Sequence, residues 1–267
     1  MVENSKVLLV ITGCIKPSTN QDHLILNDEI ERLNQYISSI EFYIKKTTIN
    51  KIVFCENSGY DSKFSMELCN VATLYKKDFE YLSFCSDNSL ITKYSNKGIG
   101  EDEIMNYVCC NSRLYKDIDI IVKVTGRLML LNIDNLIRNI DYNNYFFRDI
   151  YRGKPTGLDT RFYVILKSFY ETNVRNCYKR INDYNIRYEE LFYMLIHPYY
   201  SQLHEYMHFE GISAGNGINY SKISKTRIKV LDTLCKINIY NKYFRIIHML
   251  NRIYNKFQRL LFGRDNF

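Results

Sequence analysis

The sequence has little of the residues that build flexible or fibrous chains. Its 267 residues include 3 prolines, 11 glycines and no tryptophan. This composition excludes Pro-rich tails, long Gly-rich linkers and collagen-like repeats. No window approaches 18 uncharged apolar residues, so the sequence predicts no membrane-spanning helix. The 46% hydrophobic and 24% charged residues are instead typical of a globular protein of one or two domains that buries a large core.

The cysteines lack the spacing of a metal site or of a disulfide framework. None of the eight belongs to a C-x-x-C pair, and Cys109 and Cys110 are adjacent, which fits neither a zinc ribbon nor a common disulfide. Most lie in apolar runs, as small core residues do in a reducing compartment. The polar start of the chain, with a short apolar run after it, does not form a signal peptide. We therefore expect a cytoplasmic protein.

Short apolar runs alternate with helical patterns along the first 130 residues. Runs at 7–11, 52–55, 81–84 and 118–124 predict strands. Between them, a helix capped by Asn27 and helices over 63–75 and 101–115 are predicted. Beyond residue 150 the pattern predicts a strand at 158–166, helices at 168–176 and 188–196, and helical structure from residue 224 onward. This order predicts an α/β fold, with a mostly parallel central sheet and helices on both faces.

The carboxyl ends of the predicted parallel strands are the expected ligand site. In open α/β sheets, ligands bind in the crevice beyond those ends. Here the segments concerned are residues 12–18, 56–59 and 123–127.

One cation lies inside the best of the predicted strands. Lys123 is preceded by Val122 and followed by Val124, and a lone ammonium is costly to bury, so it needs a partner or a cavity. With Arg127 just beyond the strand, two interpretations stay open. Lys123 and Arg127 bind an anionic ligand, or Lys123 forms a structural ion pair.

Three acidic residues are candidates for a general base if they face the cleft. Asp159 precedes Thr160 and Arg161, where the alternative is a salt-bridged turn. Glu189 and Glu190 begin a predicted helix, where the alternative is favourable interaction with the helix dipole.

Other motif matches are incomplete. Residues 204–208 read H-E-Y-M-H, a zinc-ligand pattern. However, Ala214 occupies the place of the third histidine, and no glutamate follows Glu210. The D-I-D of residues 117–119 precedes its strand and so lies at the wrong end of the sheet for a D-x-D diphosphate site. Gly98-Ile99-Gly100 lacks the third glycine of a dinucleotide fingerprint. The sequence also contains no Walker lysine pattern. A zinc hydrolase, a Rossmann dinucleotide site and a P-loop are therefore disfavoured, and no metal ligands are assigned.

Positive charge is concentrated in the C-terminal fifth. The whole chain has a net charge of +7, but residues 221–267 alone contain six lysines and five arginines against two aspartates. We therefore divide the chain into a main domain, residues 1–220, and a basic helical C-terminal segment, residues 221–267.

The C-terminal segment is also amphipathic. From Tyr243 onward, apolar residues recur at helical spacing, and Arg245, Arg252 and Arg259 recur every seven residues on another stripe. Such a helix either docks on an anionic membrane surface or packs on the core with its basic face in solvent. No nucleic-acid recognition motif accompanies the charge, so no nucleic-acid partner is expected.

Taken in order, these segments resemble a family of bacterial glycosyltransferases from capsule and O-antigen gene clusters, which have a GT-A-like, Rossmann-like fold. The resemblance covers roughly residues 5–218. The matching segments are short, and they lie at residues 7–15, 33–36 (LNQY), 42–44 (FYI), 52–58 (IVFCENS), 97–101 (KGIGE), 123–127 (KVTGR), 159–162 (DTRF), 188–190 (YEE) and 211–215 (GISAG).

The resemblance implies transfer of a sugar from a nucleotide-sugar donor to a hydroxyl of a lipid-linked or growing surface glycan. It implies a nucleotide-binding half over about 1–130 and an acceptor half over about 131–220. The residues implied for the nucleotide and its sugar are Thr12, Gly13, Glu56, Asn57, Lys97, Lys123, Thr125, Gly126, Arg127, Asp159 and Arg161. Glu190, or its neighbour Glu189, is the implied base for the acceptor hydroxyl.

The same resemblance bears on cofactors and location. Lys123 and Arg127 stand where a D-x-D would be, so cations could stabilise the leaving diphosphate in place of a metal ion. No cofactor is then required, and the need for a divalent metal stays open. A basic tail would hold the enzyme on the inner face of the membrane, near a lipid-linked acceptor. A nucleotidyltransferase, a methyltransferase and a non-catalytic binding protein remain alternatives.

Overall fold

A five-stranded sheet forms the centre of the molecule in a computed structural model. The model describes residues 6–17, 26–87, 98–138, 140–151, 154–180, 186–213 and 217–243, and residues 246, 249, 250 and 253. The strands of the sheet, in spatial order, are β3 (Asp78–Ser83), β2 (Lys51–Glu56), β1 (Val7–Gly13), β4 (Ile120–Thr125) and β8 (Phe162–Leu166). The first four are parallel, and β8 is antiparallel to β4.

Two short ladders and, among the described residues, six α-helices of five or more residues surround this sheet. The ladders pair β5 (Met129–Leu130) with β9 (Phe209–Glu210) and β6 (Arg148–Tyr151) with β7 (Lys154–Leu158). The helices are α1 (Glu29–Lys46), α2 (Ser65–Leu74), α3 (Gly98–Asn111), α4 (Ile133–Ile137), α5 (Tyr188–Ile196) and α6 (Lys225–Lys236). Shorter helical turns lie at Ser62–Phe64, Lys167–Phe169, Tyr170–Val174, Cys177–Arg180 and Tyr220–Lys222.

The central strands are continuous apolar runs because helices cover both faces of the sheet. All seven residues of β1 are buried. Leu9 and Ile11 pack with Tyr43 of α1 in one core, whereas Leu8 and Val10 belong to a second core on the opposite face. That second core includes residues of α3 and α5. The predicted α/β class, with its mostly parallel sheet between helices, is confirmed.

Local predictions differ from the structure where the chain reverses. The predicted single strand at 158–166 is interrupted, because β7 ends at Leu158 and β8 begins at Phe162. The predicted helix at 168–176 is a short α-helical turn, Lys167–Phe169, that continues as a π-helical turn and ends at Val174. At α1, the N-cap is Asp28 rather than Asn27, since the Asp28 carboxylate accepts the Glu31 backbone N–H at 2.7 Å.

The first part of the basic C-terminal segment packs on the main core. Leu231 and Cys235 of α6 are 4% and 1% exposed, and Cys235 belongs to the core that includes α1. Asp232 accepts the Tyr206 backbone N–H at 2.9 Å and lies 3.0 Å from His208 Nε2. The boundary expected near residue 220 therefore does not separate α6 from the core. Within the described part of the chain, no helix has the length and apolarity needed to cross a membrane.

Candidate functional site

The candidate site is the sheet edge where the parallel strands end. Because β8 is antiparallel, its beginning meets the end of β4, and the Thr125 N–H donates to the Arg161 carbonyl at 2.9 Å. Helices α3 and α5 begin at the same edge. Their first turns touch so closely that a Cβ on Gly98 would lie 2.2 Å from the Cβ of Tyr188. Charged residues from four elements therefore meet there.

Lys123 is at the centre of this edge, and it is fully buried. Its ammonium donates to the Thr160 carbonyl at 2.5 Å and to Thr125 Oγ1 at 3.3 Å, and it pairs with Glu101 Oε1. Burial lowers the pKa of Lys123 well below its ordinary value, while the charges of Asp159 and Glu189 act in the opposite direction. Lys123 is thus held beneath the site by three oxygen partners and presents no surface to a ligand.

The partner of Lys123 was not among the predicted site residues. Glu101 lies in the first turn of α3, its side chain is 19% exposed, and its Oε1 also lies 3.5 Å from Thr12 Oγ1. In the sequence, Glu101 is the first residue of a predicted helix, a place where the helix dipole already accounts for an acidic residue. One signal could have identified it. A helix that follows a parallel strand and crosses back begins near the carboxyl edge of the sheet, so acids of its first turn face the site.

Arg161 is the cation of the site that reaches the surface. Its side chain is 30% exposed, and its Nε donates to Asp159 Oδ1 at 2.9 Å. The guanidinium stacks on the rings of Phe209 and Tyr220, at 5.2 and 5.1 Å from their centroids, and Nη1 donates to the Tyr220 hydroxyl at 2.6 Å. Stacking and ion pairing fix the guanidinium in one orientation, as anion recognition requires.

Asp159 holds the Arg161 guanidinium in position. It is 6% exposed, and both of its carboxylate oxygens accept hydrogen bonds from Arg161. Although burial opposes the effect, the Arg161 guanidinium holds the pKa of Asp159 below its ordinary value. A carboxylate that is ionised and occupied in this way positions Arg161 and is poorly suited to accept a proton.

The two predicted bases on α5 differ in their surroundings. Glu190 accepts the Arg187 backbone N–H at 3.1 Å, which caps the helix. Glu189 lies close enough to Lys123 to affect the pKa of its ammonium. Both side chains are half-buried. Glu189 therefore acts electrostatically on Lys123, and Glu190 makes a local helix-capping contact.

The glycines predicted to line the nucleotide pocket allow the strands to approach. The Gly126 N–H donates to the Thr12 carbonyl at 2.9 Å, and a Cβ on Gly126 would lie 2.6 Å from that oxygen. A Cβ on Gly13 would lie 2.6 Å from the ring of Phe54. The Thr125 hydroxyl, in turn, contacts the Lys123 ammonium. These residues therefore determine how closely the ends of β1 and β4 pack at the candidate site.

Glu56 and Asn57, which were both predicted to line the nucleotide pocket, lie at the end of β2 and have different roles. Glu56 is fully buried and accepts the backbone N–H groups of Ser58 at 2.9 Å and Tyr60 at 2.8 Å, so it holds the turn. Asn57 is 8% exposed. In the described part of the molecule, its Oδ1 has no hydrogen-bond partner. A buried acceptor without a partner is uncommon, and here it lies at the ligand-binding edge.

The structure does not bring Arg127 to Lys123. The Arg127 side chain is buried on the opposite face of the sheet, where it donates to Gln35 Oε1 at 3.2 Å and lies 6.0 Å from the ring centroid of Tyr36. Burial there lowers the pKa of its guanidinium. The expectation that both cations contact one diphosphate therefore does not fit their positions. Lys97 lies outside the described residues.

The zinc motif is not formed. Residues 204–208 are not helical, His208 contacts Asp232 on α6, and Glu205 Oε2 accepts from Asn132 Nδ2 at 3.3 Å. Across the described ranges, no three His, Cys, Asp or Glu residues are grouped as metal ligands. Asp119 lies just before β4, at the amino end of the sheet, where its backbone N–H donates to the Lys6 carbonyl at 2.9 Å.

Comparison with known proteins identifies a fold rather than a family. The sequence matches no protein-family model and no curated protein. The apo-form glycosyltransferase GlyE of Streptococcus pneumoniae superposes with a TM-score of 0.50 at 12% identity, over 74% of this chain. The chain spans 45% of the length of GlyE.

Two further solved structures have lower TM-scores. The mannosyltransferase Ktr4p of S. cerevisiae has a TM-score of 0.49 at 10% identity, over 90% of this chain and 82% of its own. A cytidylyltransferase of Leptospira borgpetersenii has 0.31 at 14%, over 68% and 74%. The likeness to GlyE establishes that this α/β fold is GT-A-like.

Proposed function

We propose that this protein transfers a sugar from a nucleotide-sugar donor to a hydroxyl of a glycan. The carrying observation is the cluster at the carboxyl edge of the sheet, where Lys123, Glu101, Asp159 and Arg161 meet. Ligands of open α/β sheets bind at this edge. Loss of a nucleoside diphosphate from a sugar also develops negative charge that preorganised cations stabilise.

The nucleotide is assigned to the ends of β1 and β2. Asn57 Oδ1 is a buried acceptor with no partner among the described residues, and Thr12 lies on the neighbouring strand end. An N–H of a nucleobase or a ribose hydroxyl would satisfy that acceptor. Such a contact confers selectivity, because an analogue without the donor group leaves the buried oxygen unpaired.

The diphosphate is assigned to Arg161. Its guanidinium is fixed by Asp159 and by two aromatic rings, and part of its surface faces solvent. Guanidinium groups bind phosphate oxygens through two parallel hydrogen bonds. Lys123 contributes a fixed charge from below. Two carboxylates of this edge, Glu101 and Asp159, are already paired with cations, so we propose that the transfer does not need a divalent metal.

The acceptor is assigned to the opposite half of the edge, toward the start of α5, where Glu189 acts electrostatically on Lys123. We further propose a growing or lipid-linked surface glycan of the capsule or O-antigen kind. The C-terminal segment supports a peripheral position on the inner face of the membrane. Ile246, Met249, Leu250 and Ile253 are each more than half exposed, and their spacing places them on one face of a helix.

A thermal-shift panel tests the function. UDP, GDP, CMP, S-adenosylmethionine and several nucleotide sugars are each added with and without EDTA. Stabilisation by one nucleotide and its sugar derivatives, unchanged by EDTA, is expected. Stabilisation by S-adenosylmethionine alone would indicate a methyltransferase, and release of pyrophosphate rather than a nucleoside diphosphate would indicate a nucleotidyltransferase. If no nucleotide raises the melting temperature, the proposal is wrong.

The membrane assignment has its own test. The full chain should co-sediment with vesicles containing anionic lipid at low salt, and binding should fall as ionic strength screens the basic residues. Equal binding to vesicles without anionic lipid, or no binding to either, would contradict the assignment while leaving the transfer reaction untouched.

A further inference from the structure

The carboxylates of the candidate site differ in whether an oxygen is left open. Both oxygens of Asp159 accept from Arg161. Those of Glu56 accept from the backbone N–H groups of Ser58 and Tyr60. Glu190 caps its own helix. These three carboxylates are occupied by contacts that hold the protein together, so none of them is well placed to receive a proton from a substrate.

Glu101 is different. Its hydrogen bond with Thr12 and its ion pair with Lys123 both end on Oε1. Among the described residues, no hydrogen bond or ion pair ends on Oε2. The side chain is 19% exposed, so this second oxygen belongs to a carboxylate that is fixed through one atom and accessible from the edge.

Glu101 lies where the ends of β1 and β4 meet. Thr12 ends β1 and Lys123 lies near the end of β4, so Glu101 spans the boundary between these two strands. The proposed nucleotide lies on the β2 side of this boundary and Arg161 lies on the β8 side. In a nucleotide sugar the diphosphate lies between the nucleoside and the anomeric carbon, so that carbon is placed next to the phosphates assigned to Arg161. Glu101 lies near this point, because its partner Lys123 also donates to the carbonyl of Thr160, the neighbour of Arg161.

We propose that Glu101 is the catalytic base of the transfer, accepting through Oε2 the proton of the attacking hydroxyl. This inference rests on the proposed glycosyltransferase function. The acceptor oxygen bonds to the anomeric carbon as its proton passes to Glu101. The bond from that carbon to the diphosphate oxygen breaks, and its electron pair leaves with the nucleoside diphosphate, so atoms and charge balance.

Lys123 explains why this carboxylate is ready to act. The Lys123 ammonium fixes the Glu101 carboxylate through Oε1. It does not compete for Oε2, because it is paired with Oε1 and with the Thr160 carbonyl. Asp159 and Glu189 also act on the Lys123 charge. When Glu101 takes up the proton, the charges of Asp159 and Glu189 still favour the charged form of Lys123.

The test uses substitutions in the full chain and needs no known acceptor. Release of nucleoside diphosphate is measured from UDP-glucose, UDP-galactose, UDP-N-acetylglucosamine and GDP-mannose, with water as the acceptor. For the active donor, Glu101→Gln should lower kcat by about 10²- to 10⁴-fold, the usual contribution of a general base. KM for the donor and the thermal shift produced by its nucleotide should stay within about twofold. Glu101→Asp, which keeps a carboxylate, should recover part of the rate.

Glu67→Gln is the matched control. Glu67 lies in the first turn of α2, as Glu101 does in α3, but its side chain is exposed, and among the described residues it takes no part in the contacts of Lys123 or Thr12. The kcat of Glu67→Gln should equal that of the unchanged protein. If Glu101→Gln retains the full rate while the unchanged protein is active, the assignment of the base is wrong and the function stands. If the unchanged protein neither binds a nucleotide nor releases one, the proposed function fails and this inference fails with it.

A second variant covers the case in which Glu101→Gln does not fold. Lys123→Met replaces the buried ammonium with an apolar side chain of similar length. Glu101 then loses the cation that pairs with Oε1, and a carboxylate is harder to ionise without a neighbouring cation, although the Arg161–Asp159 pair and Glu189 remain in place. The acid side of the pH–rate profile should therefore move to higher pH. A profile whose acid side keeps its position would overturn the proposal.

Discussion

Asp102, one residue after the proposed base, allows a quantitative prediction about stability. It is fully buried in α3, and its carboxylate accepts the Tyr178 backbone N–H at 2.9 Å and the Tyr188 hydroxyl at 3.3 Å. The Cys177 thiol lies 3.5 Å away. These donors do not offset the loss of hydration, so burial raises the pKa of Asp102 from 3.8 to about 7.

The cost of this burial depends on pH. Below pH 4 the carboxyl group is neutral in both the folded and the unfolded chain, so it carries no penalty. Between pH 4 and 7 the unfolded chain ionises while the folded protein keeps its proton, and stability falls as the pH rises. Above pH 7 the full cost is present, which amounts to about 4 kcal/mol for a shift of this size.

Asp102→Asn removes the titration while keeping the shape of the side chain. Its free energy of unfolding relative to the unchanged protein should increase from pH 4.5 to pH 8, by up to about 4 kcal/mol. Urea denaturation of both proteins across this range measures the difference. Asp78→Asn, at an exposed aspartate at the start of β3, is the control and should show no such trend. A difference that stays constant, or that decreases with rising pH, would refute the reasoning.

Three further predictions concern the packing and charges around the site. Gly98→Ala should lower the free energy of unfolding by about 2 kcal/mol, since the new Cβ overlaps Tyr188. Urea denaturation measures this, and an unchanged midpoint would contradict it. Asp159→Asn should cost about 3 kcal/mol, because it leaves Arg161 without its charge partner. The unchanged protein should lose the same contribution as the pH falls through the lowered pKa of Asp159, and its acid denaturation curve tests both statements. Asp232→Ala should loosen α6 by about 1 kcal/mol, seen as faster hydrogen exchange in that helix, and unaltered exchange would contradict it.

The sheet could be predicted because its strands carry an unambiguous pattern. β1, β2 and β4 are buried on both faces, so their sequences are continuous apolar runs of the length of a strand. β8 was harder. Its apolar residues continue from Leu158, and only the polar residues 159–161 mark the reversal of the chain. Strand direction is not encoded in such a run, so its antiparallel pairing with β4 could not be predicted.

The location of the charged site could be predicted from the sequence, but the ion pairs within it could not. Lys123 needed a partner, yet the sequence has many acids, and an acid in the first turn of a helix already has an explanation in the helix dipole. Arg127 illustrates a second limit. Alternation along a strand would place residues 123, 125 and 127 on one face. The strand ends at Thr125, however, and the turn at Gly126 directs Arg127 toward α1.

The position of the nucleotide tests the central claim most directly. A crystal structure of the protein soaked with the nucleotide that gives the largest thermal shift would reveal it. We expect the nucleobase beside Asn57, at the ends of β1 and β2, and the phosphates near Arg161. Two other surface clefts offer alternatives, one at the amino ends of the strands beside Lys6 and Lys116 and one beside Arg148 and His197. A nucleotide bound in either of them, with the carboxyl edge unoccupied, would contradict the account.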